Sequence, residues 1–309
     1  MDRPAHPLRV NAMSDIAATA APQVRKERNK LLDFIYTQPV GAVSLVVIIA
    51  MFIAGIFAPY LTPHHPLDVD YFAILAAPSW DHLTGTDAFG RDVFSRLIYG
   101  ARTALIIGVT SSFLGCTLGA ILGAASAYFG GRVDAIIQRI VDILLSFPLI
   151  VLALVVVAVL GRNLLFGIDI SLIFAIAIPI VPQVSRVVRA AALSIRVMPY
   201  IDAARTAGYS HSRIIFVHMA PNLVTPYLIM LTAYIAQAIL LEATLSFLGL
   251  GVAEPTPAWG LMLSGNASDY FLTAPWLIIF PGIAISIALV AFNLFGDALR
   301  DWLDPKLNT

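Results

Sequence analysis

The sequence predicts an all-α integral membrane protein with six transmembrane helices, and three observations support that fold class. Of the 309 residues, 59% are hydrophobic and only 12% are charged, with a mean hydropathy of +0.85; a soluble globular chain has a charged share of about 25%. Six stretches are long enough to cross about 30 Å of hydrocarbon at about 1.5 Å per residue. Lys and Arg gather on one side of the resulting topology, as the positive-inside rule requires.

The predicted spans are residues 41–60, 104–128, 137–160, 170–190, 222–248 and 275–296. The first is too long for a signal-peptide core and no clear small-residue cleavage site follows it, so it is expected to remain as an anchor. With the N-terminus inside, the inner segments hold Arg3, Arg9, Arg25, Lys26, Arg28, Lys30, Arg132, Arg139, Arg186, Arg189, Arg196, Arg205, Arg213, Arg300 and Lys306. Only Arg91, Arg96, Arg102 and Arg162 fall outside. Both termini are therefore expected in the cytoplasm, with 1–40 and 300–309 as tails. Residues 1–30 mix Pro, Ala and charges without helical periodicity and receive no chemistry. The one cysteine, Cys116, lies in an apolar stretch. No internal disulfide or cysteine metal cluster can form, and it reads as a small packing residue.

The loop over 61–103 is the longest outer excursion. Its second half reads as an amphipathic helix capped by Thr86 or Asp87, with Phe89, Val93, Phe94, Leu97 and Ile98 on one face. Asp87 with Arg91 and Asp92 with Arg96 stand four apart in the favourable order. Such a helix is expected along the outer membrane surface. Span two carries Ser111, Gly115, Gly119, Gly123 and Ala127 at intervals of four, a smooth stripe that lets another helix approach, either as static packing or as a sliding contact. That stripe is also expected to demand a partner surface. Pro179, Pro182 and Pro281 predict local kinks in spans four and six.

Between spans four and five the chain leaves the bilayer. Pro199 can open a short helix through Ala203, Ala204 and Ala207, and Gly208 can stop it in a left-handed cap. Ser210 can cap a second helix through Arg213 and Val217, which Pro221 is expected to separate from span five. The two form a helical hairpin within the loop 195–221, or else an ordinary polar connector.

Asp202-Ala203-Ala204, Gly208 and Pro221 resemble the cytoplasmic loop motif of permease subunits in bacterial ABC importers, where Glu-Ala-Ala, three residues, Gly and a later Pro recur. Asp202 replaces the usual Glu, and Ala220 replaces the Leu common before the Pro. Three further segments are similar to the second permease of the dipeptide, oligopeptide and nickel importers. They are Gly85-Thr86-Asp87 with Gly90-Arg91-Asp92-Val93, Leu241-Glu242-Ala243 with Leu245 through Gly251, and Ala291 through Asp297 ending in Leu303-Asp304-Pro305. The resemblance spans about 35 to 306.

It implies a type I ABC importer permease fold in the bacterial cytoplasmic membrane, with 104–299 as the permease core. The implied partners are a second related permease in a heterodimer, two cytoplasmic ABC ATPases and a periplasmic or extracellular solute-binding protein. ATP and Mg would sit on the ATPases; no Walker-type phosphate loop occurs in this chain, and no cofactor, catalytic constellation or nucleic-acid partner is expected of it. The implied coupling loop contains Asp202, Ala203, Ala204, Arg205, Gly208, His218 and Pro221.

Glu242 is the only acidic residue between Ile214 and Val252, and a carboxylate in a span defaults to a functional hypothesis. Its depth places it near the outer interface, where water or the 84–102 helix could solvate it; with Ser246 it is expected to line an outer gate or serve structure. Asp142 is expected to pair with Arg139, Arg186 or Arg189. His64, His65 and His82 are read as solvated loop residues without metal-ligand spacing, and His218 as a surface or ATPase contact. The expected function is ATP-driven uptake of di- or oligopeptides. Nickel or another small solute is the alternative cargo, and an ion-coupled carrier using Glu242 the rival mechanism.

Overall fold

The computed structural model describes residues 30–165, 167–265 and 269–303. The basic residues up to Arg28, together with Lys306 and the Asp304-Pro305 pair, lie outside the described residues.

The first described helix, Lys30–Thr37, lies within the stretch expected as a tail, and a second helix, Pro39–Ile56, forms the first span. Pro39 sits in the first turn, where its missing N–H costs no hydrogen bond. After a one-turn helix, Ala58–Leu61, the chain is irregular up to an isolated bridge between Thr86 and Asp92.

The expected surface helix from Thr86 does not form. Gly85 and Gly90 hold φ of 80° and 76°, a left-handed geometry that turns the chain and cannot continue a helix. Helix starts at Val93 and continues unbroken to Phe129, so the predicted outer helix is the first part of span two. Asp92 is its cap, accepting from Ser95 N at 2.8 Å and from Ser95 Oγ at 2.7 Å.

Predicted span three is also corrected. Gly131–Leu145 and Leu149–Leu160 are separate helices bent by 95° at Ser146, Phe147 and Pro148. The residue before a proline is driven out of α geometry, and the proline cannot donate to the turn before it. A two-residue hairpin pairing Leu164 with Asp169 follows, the one strand contribution among the described residues. Asp169 then caps Ile170–Arg196 through Ser171 N at 3.0 Å, and Pro179 and Pro182 lie inside that helix.

Next come Pro199–Thr206, the single turn His211–Arg213, a π-helical turn Ile214–Met219 and Ala220–Phe247. Pro221 therefore does not divide the loop helix from span five. It sits in the first turn of Ala220–Phe247, and the wider π turn just before it makes room for a ring that would crowd the preceding carbonyls of an α-helix. A short helix, Trp259–Leu263, and a long one, Trp276–Leu303, complete the described residues. Five helices are long and apolar enough to cross a membrane, and the bent pair makes six if counted as one span.

Val93–Phe129 packs most extensively against Ile170–Arg196. The small-residue stripe explains why. A Cβ on Gly115, Gly119 or Gly123 would stand 2.8, 2.7 or 2.5 Å from the carbonyl oxygens of Ala177, Val181 and Ser185. Ser111 and Ala127, at the ends of the stripe, are fully buried. The stripe is thus used inside the chain, and the expectation that it demands a partner surface is overturned. Cys116 is buried beside it, as a packing residue should be. A second core joins Pro39–Ile56, the start of Val93–Phe129, Ala220–Phe247 and Trp276–Leu303 through Ile48, Leu105, Ile239, Trp259 and Phe292.

Candidate functional site

Two clusters occupy opposite ends of the Val93–Phe129 helix. The first is the hairpin 199–213. Pro199–Thr206 buries Ile201 and Ala204 and leaves Asp202 exposed, with Arg205 Nη1 donating to Asp202 Oδ1 at 2.9 Å. The helix closes in a Schellman motif. Tyr209 N donates to Ala204 O at 3.2 Å and Gly208 N to Arg205 O at 3.0 Å, with Gly208 at φ 78°. Ser210 Oγ then accepts from Arg213 N at 3.4 Å. The helix, glycine cap and serine cap read from the sequence are all present.

Aromatic and basic side chains pin this hairpin to its surroundings. Tyr128 Oη lies 2.8 Å from His211 Nδ1, and the Arg205 guanidinium sits over the Tyr128 ring at 5.5 Å. Beside the hairpin, Arg196 Nη1 donates to Ala127 O at 2.8 Å and so joins the ends of Ile170–Arg196 and Val93–Phe129 to each other. On the far limb Arg213 covers the Tyr209 ring at 4.3 Å, and that ring stacks parallel to His218. Asn222 Nδ2 donates to His218 O and to Tyr200 Oη at 2.9 and 3.1 Å. His218 is therefore not a free surface group: it is packed between the limbs, and its buried Nε2 has no hydrogen-bond partner among the described residues. Nearby, Arg189 grips Asp134 with two bonds of 2.7 and 2.6 Å, and Asp142 pairs with Arg186, one of the partners expected for it. Sequence reasoning missed Tyr128, Tyr209 and His211, because their roles depend on contacts between helices far apart in the chain.

At the opposite end, Asp87 Oδ1 accepts from Phe89 N and Arg91 N, and Oδ2 accepts from Arg91 Nε at 2.7 Å. The Asp87–Arg91 pair forms as expected, across a turn and not along a helix. Asp92 and Arg96 do not pair; Asp92 is committed to capping and to His82 Nδ1 at 3.0 Å. Arg96, 1% exposed, turns to Glu254 at 3.5 Å, which also takes Arg91 Nη1 at 2.8 Å. Burial lowers the Arg91 pKa, but the Glu254 and Asp87 carboxylates outweigh it and hold the guanidinium above its ordinary value. Glu254 was not singled out in the sequence, since it lies in a loop 163 residues from Arg91.

Glu242 is 1% exposed, so the expected solvation by water or by the 84–102 segment is absent. Its Oε1 accepts from Ser246 Oγ at 2.7 Å, while Oε2 has no partner among the described residues. Ser246 Oγ in turn accepts from Val252 N at 3.0 Å. Helix Ala220–Phe247 ends in a second Schellman motif, with Leu250 N on Leu245 O at 2.9 Å, Gly249 N on Ser246 O at 3.1 Å and Gly249 at φ 77°. Glu242 and Ser246 therefore anchor the turn that sends the chain back over the bundle. That returning segment docks on the start of Val93–Phe129, with Thr103 Oγ1 donating to Pro257 O and Trp259 Nε1 to Leu97 O at 2.8 and 2.9 Å. His82, read as solvated, is only 12% exposed and bonded to Asp92.

A bundle of spans with a capped, packed hairpin at one end and a folded-back cover at the other is the architecture of a transport permease. The family described as binding-protein-dependent transport system inner membrane component matches residues 115–309, and the chain belongs to it. It is a multi-pass inner-membrane protein of the ABC transporter class. A putative peptide transport system permease protein of Brucella suis is 43% identical over 86% of this chain and 87% of its own length. The probable D,D-dipeptide transport system permease protein DdpC of Escherichia coli is 39% identical over 95% and 97%. The dipeptide transport system permease protein DppC of Haemophilus influenzae is 38% identical over 96% and 99%. Among solved structures, the inward-facing MetNI methionine ABC transporter aligns with a TM-score of 0.53 at 18% identity, covering 68% of this chain and 98% of that one, a likeness of fold.

Proposed function

We propose that this chain is one permease half of an ATP-driven importer of di- and oligopeptides. The carrying observation is the hairpin 199–213, a short helix closed by Gly208 and bound through Tyr128 and Asn222 to two of the long helices. A rigid handle fixed to several spans can convert a push from a soluble partner into re-packing of the bundle. The peptide cargo is drawn from the names of relatives that align over nearly their whole length.

In this reading the hairpin and both termini face the cytoplasm, where the basic residues lie. A second related permease completes the pathway. Two ABC ATPases seat the loop containing Asp202, Arg205 and Gly208, and ATP with Mg is bound and hydrolysed on them. A solute-binding protein delivers peptide to the end bearing Arg91 and Glu254, and the permease offers a weakly selective path. Glu242 shapes the outer side and carries no protons.

The test is uptake of a labelled dipeptide into vesicles containing the reconstituted complex. ATP without an ion gradient is expected to drive uptake; uptake that requires the gradient and ignores ATP would establish the carrier mechanism instead. Nickel uptake without peptide uptake would reassign the cargo.

A further inference from the structure

His64 and His82 are eighteen positions apart in the chain, yet their ring centroids lie 4.9 Å apart. Asp92 stands beside them, with Oδ1 3.0 Å from His82 Nδ1. One ring nitrogen of each histidine and one carboxylate oxygen of Asp92 all fall within 4.8 Å of one another.

Two of the three side chains, His64 and Asp92, are braced from outside the cluster. His64 Nε2 is 2.9 Å from Asp81 O; a carbonyl only accepts, so Nε2 carries the proton and Nδ1 keeps a free lone pair. Handing the second ring N–H to a backbone carbonyl is how ligating histidines are usually held. Asp92, 1% exposed, is fixed through Oδ2 by Ser95 N and Ser95 Oγ, which leaves Oδ1 toward His82. The same residues line an open cavity of about 550 Å³ together with Asp68, Asp70 and Asp81, and neither Lys nor Arg is among its lining residues. The local field therefore favours a cation.

We propose that His64, His82 and Asp92 bind one divalent transition-metal ion of the zinc type, on the face of the chain that the proposed orientation turns outward. Two imidazoles and a carboxylate select against Mg and Ca, which take all-oxygen shells, and suit zinc with a fourth position open. The 3.0 Å between His82 Nδ1 and Asp92 Oδ1 suits neighbouring ligands of one ion, since each would sit about 2.0–2.2 Å from the metal. The wider separation to His64, within 4.8 Å, closes by a turn of its ring about the Nε2–Asp81 O bond, which keeps that brace. For His82 to ligate through Nδ1 the ring proton moves to Nε2, which keeps the imidazole neutral and frees Asp92 Oδ1 for the ion. The ion would tie the chain just after the first span to the cap of the Val93–Phe129 helix, independently of what the transporter carries.

The experiment is a zinc titration of the assembled transporter in nanodiscs, affinity tag removed, against a chromogenic chelator. One zinc per copy of this chain is expected, undisturbed by excess Mg. His64→Gln and His82→Gln should each weaken it by about tenfold or more, with zinc-free melting curves like that of the parent. His65→Gln should leave it unchanged, because the His65 ring faces Tyr99 at 6.4 Å. X-ray absorption at the zinc edge of the parent complex should show two imidazole nitrogens, a reading that needs no variant. Absence of saturable zinc in the parent, binding unaltered in His64→Gln, or an edge spectrum without imidazole would each overturn the proposal.

Discussion

Tyr128 Oη and His211 Nδ1 lie 2.8 Å apart, joining the last turn of the Val93–Phe129 helix to the turn that opens the second limb of the hairpin. The bond connects two parts of the chain separated by 83 residues, and Arg205 covers the same tyrosine ring. Removing the hydroxyl with Tyr128→Phe keeps the ring and its cation–π contact but deletes the tie. A hydrogen bond of this kind contributes about 1 kcal/mol, so transport per ATP hydrolysed should fall by about fivefold while basal ATPase activity persists. Simultaneous measurement of both rates in proteoliposomes checks it.

Gly208 separates backbone strain from crowding. Its φ is 78°, but a Cβ there would meet nothing within 4 Å. Gly208→Asn should therefore be tolerated, since Asn visits the left-handed region readily, whereas Gly208→Val should cost about 1–2 kcal/mol or more and misplace the hairpin. The expected result is near-normal coupling in the first and ATP hydrolysis without uptake in the second, at equal membrane expression. Equal coupling in both variants would show that the cap geometry is unimportant.

Gly119 presents the opposite case. A Cβ would stand 2.7 Å from Val181 O, backbone that cannot move aside cheaply. Gly119→Val is expected to destabilise the chain itself by about 1–3 kcal/mol through overpacking, before any partner is involved. Thermal melting of the detergent-solubilised chain should show the loss; a defect confined to assembly would restore the idea of a partner-facing stripe.

Glu242→Gln retains an oxygen to accept from Ser246 and removes an ionisable group from a site 1% exposed. Stability should hold or rise, and uptake should fall only partly, with no new dependence on a proton gradient. Ser246→Ala should be the more damaging change, because it strips Val252 N of its acceptor and Glu242 of its only donor among the described residues. A buried group left unsatisfied costs about 1–3 kcal/mol. Melting and uptake measured on the two variants together would expose an inverted ranking.

The sequence was most readable where one residue determines the local backbone. Gly208 and Ser210 ended and began helices where their chemistry requires it. The spans were legible because about twenty apolar residues in a row have few other uses. The break at Pro148 could have been found, since a proline near the middle of a span is a bend signal; the apolar run on both sides hid it. The start of the second helix was misplaced because Asp87 and Asp92 are both acceptable caps, and the glycines at 85 and 90 decide between them. Glu254 with Arg91, Tyr128 with His211, and His64 with His82 were out of reach for a different reason. Each pairing is created by tertiary packing and leaves no local periodicity.

The unbroken Val93–Phe129 helix is about 55 Å long at 1.5 Å per residue and holds the Arg96–Glu254 pair near one end and the Tyr128–His211 bond at the other. Such a rod cannot shorten, so a displacement imposed on the tyrosine end must appear as tilt or as axial travel. Pivoted at the arginine end, a tilt of about 5° sweeps the tyrosine end through about 5 Å, roughly one helical pitch. The two faces of the membrane are thus geared to each other by one piece of backbone, and the slack in the mechanism must lie in the joints at either end and in the bent pair beside it.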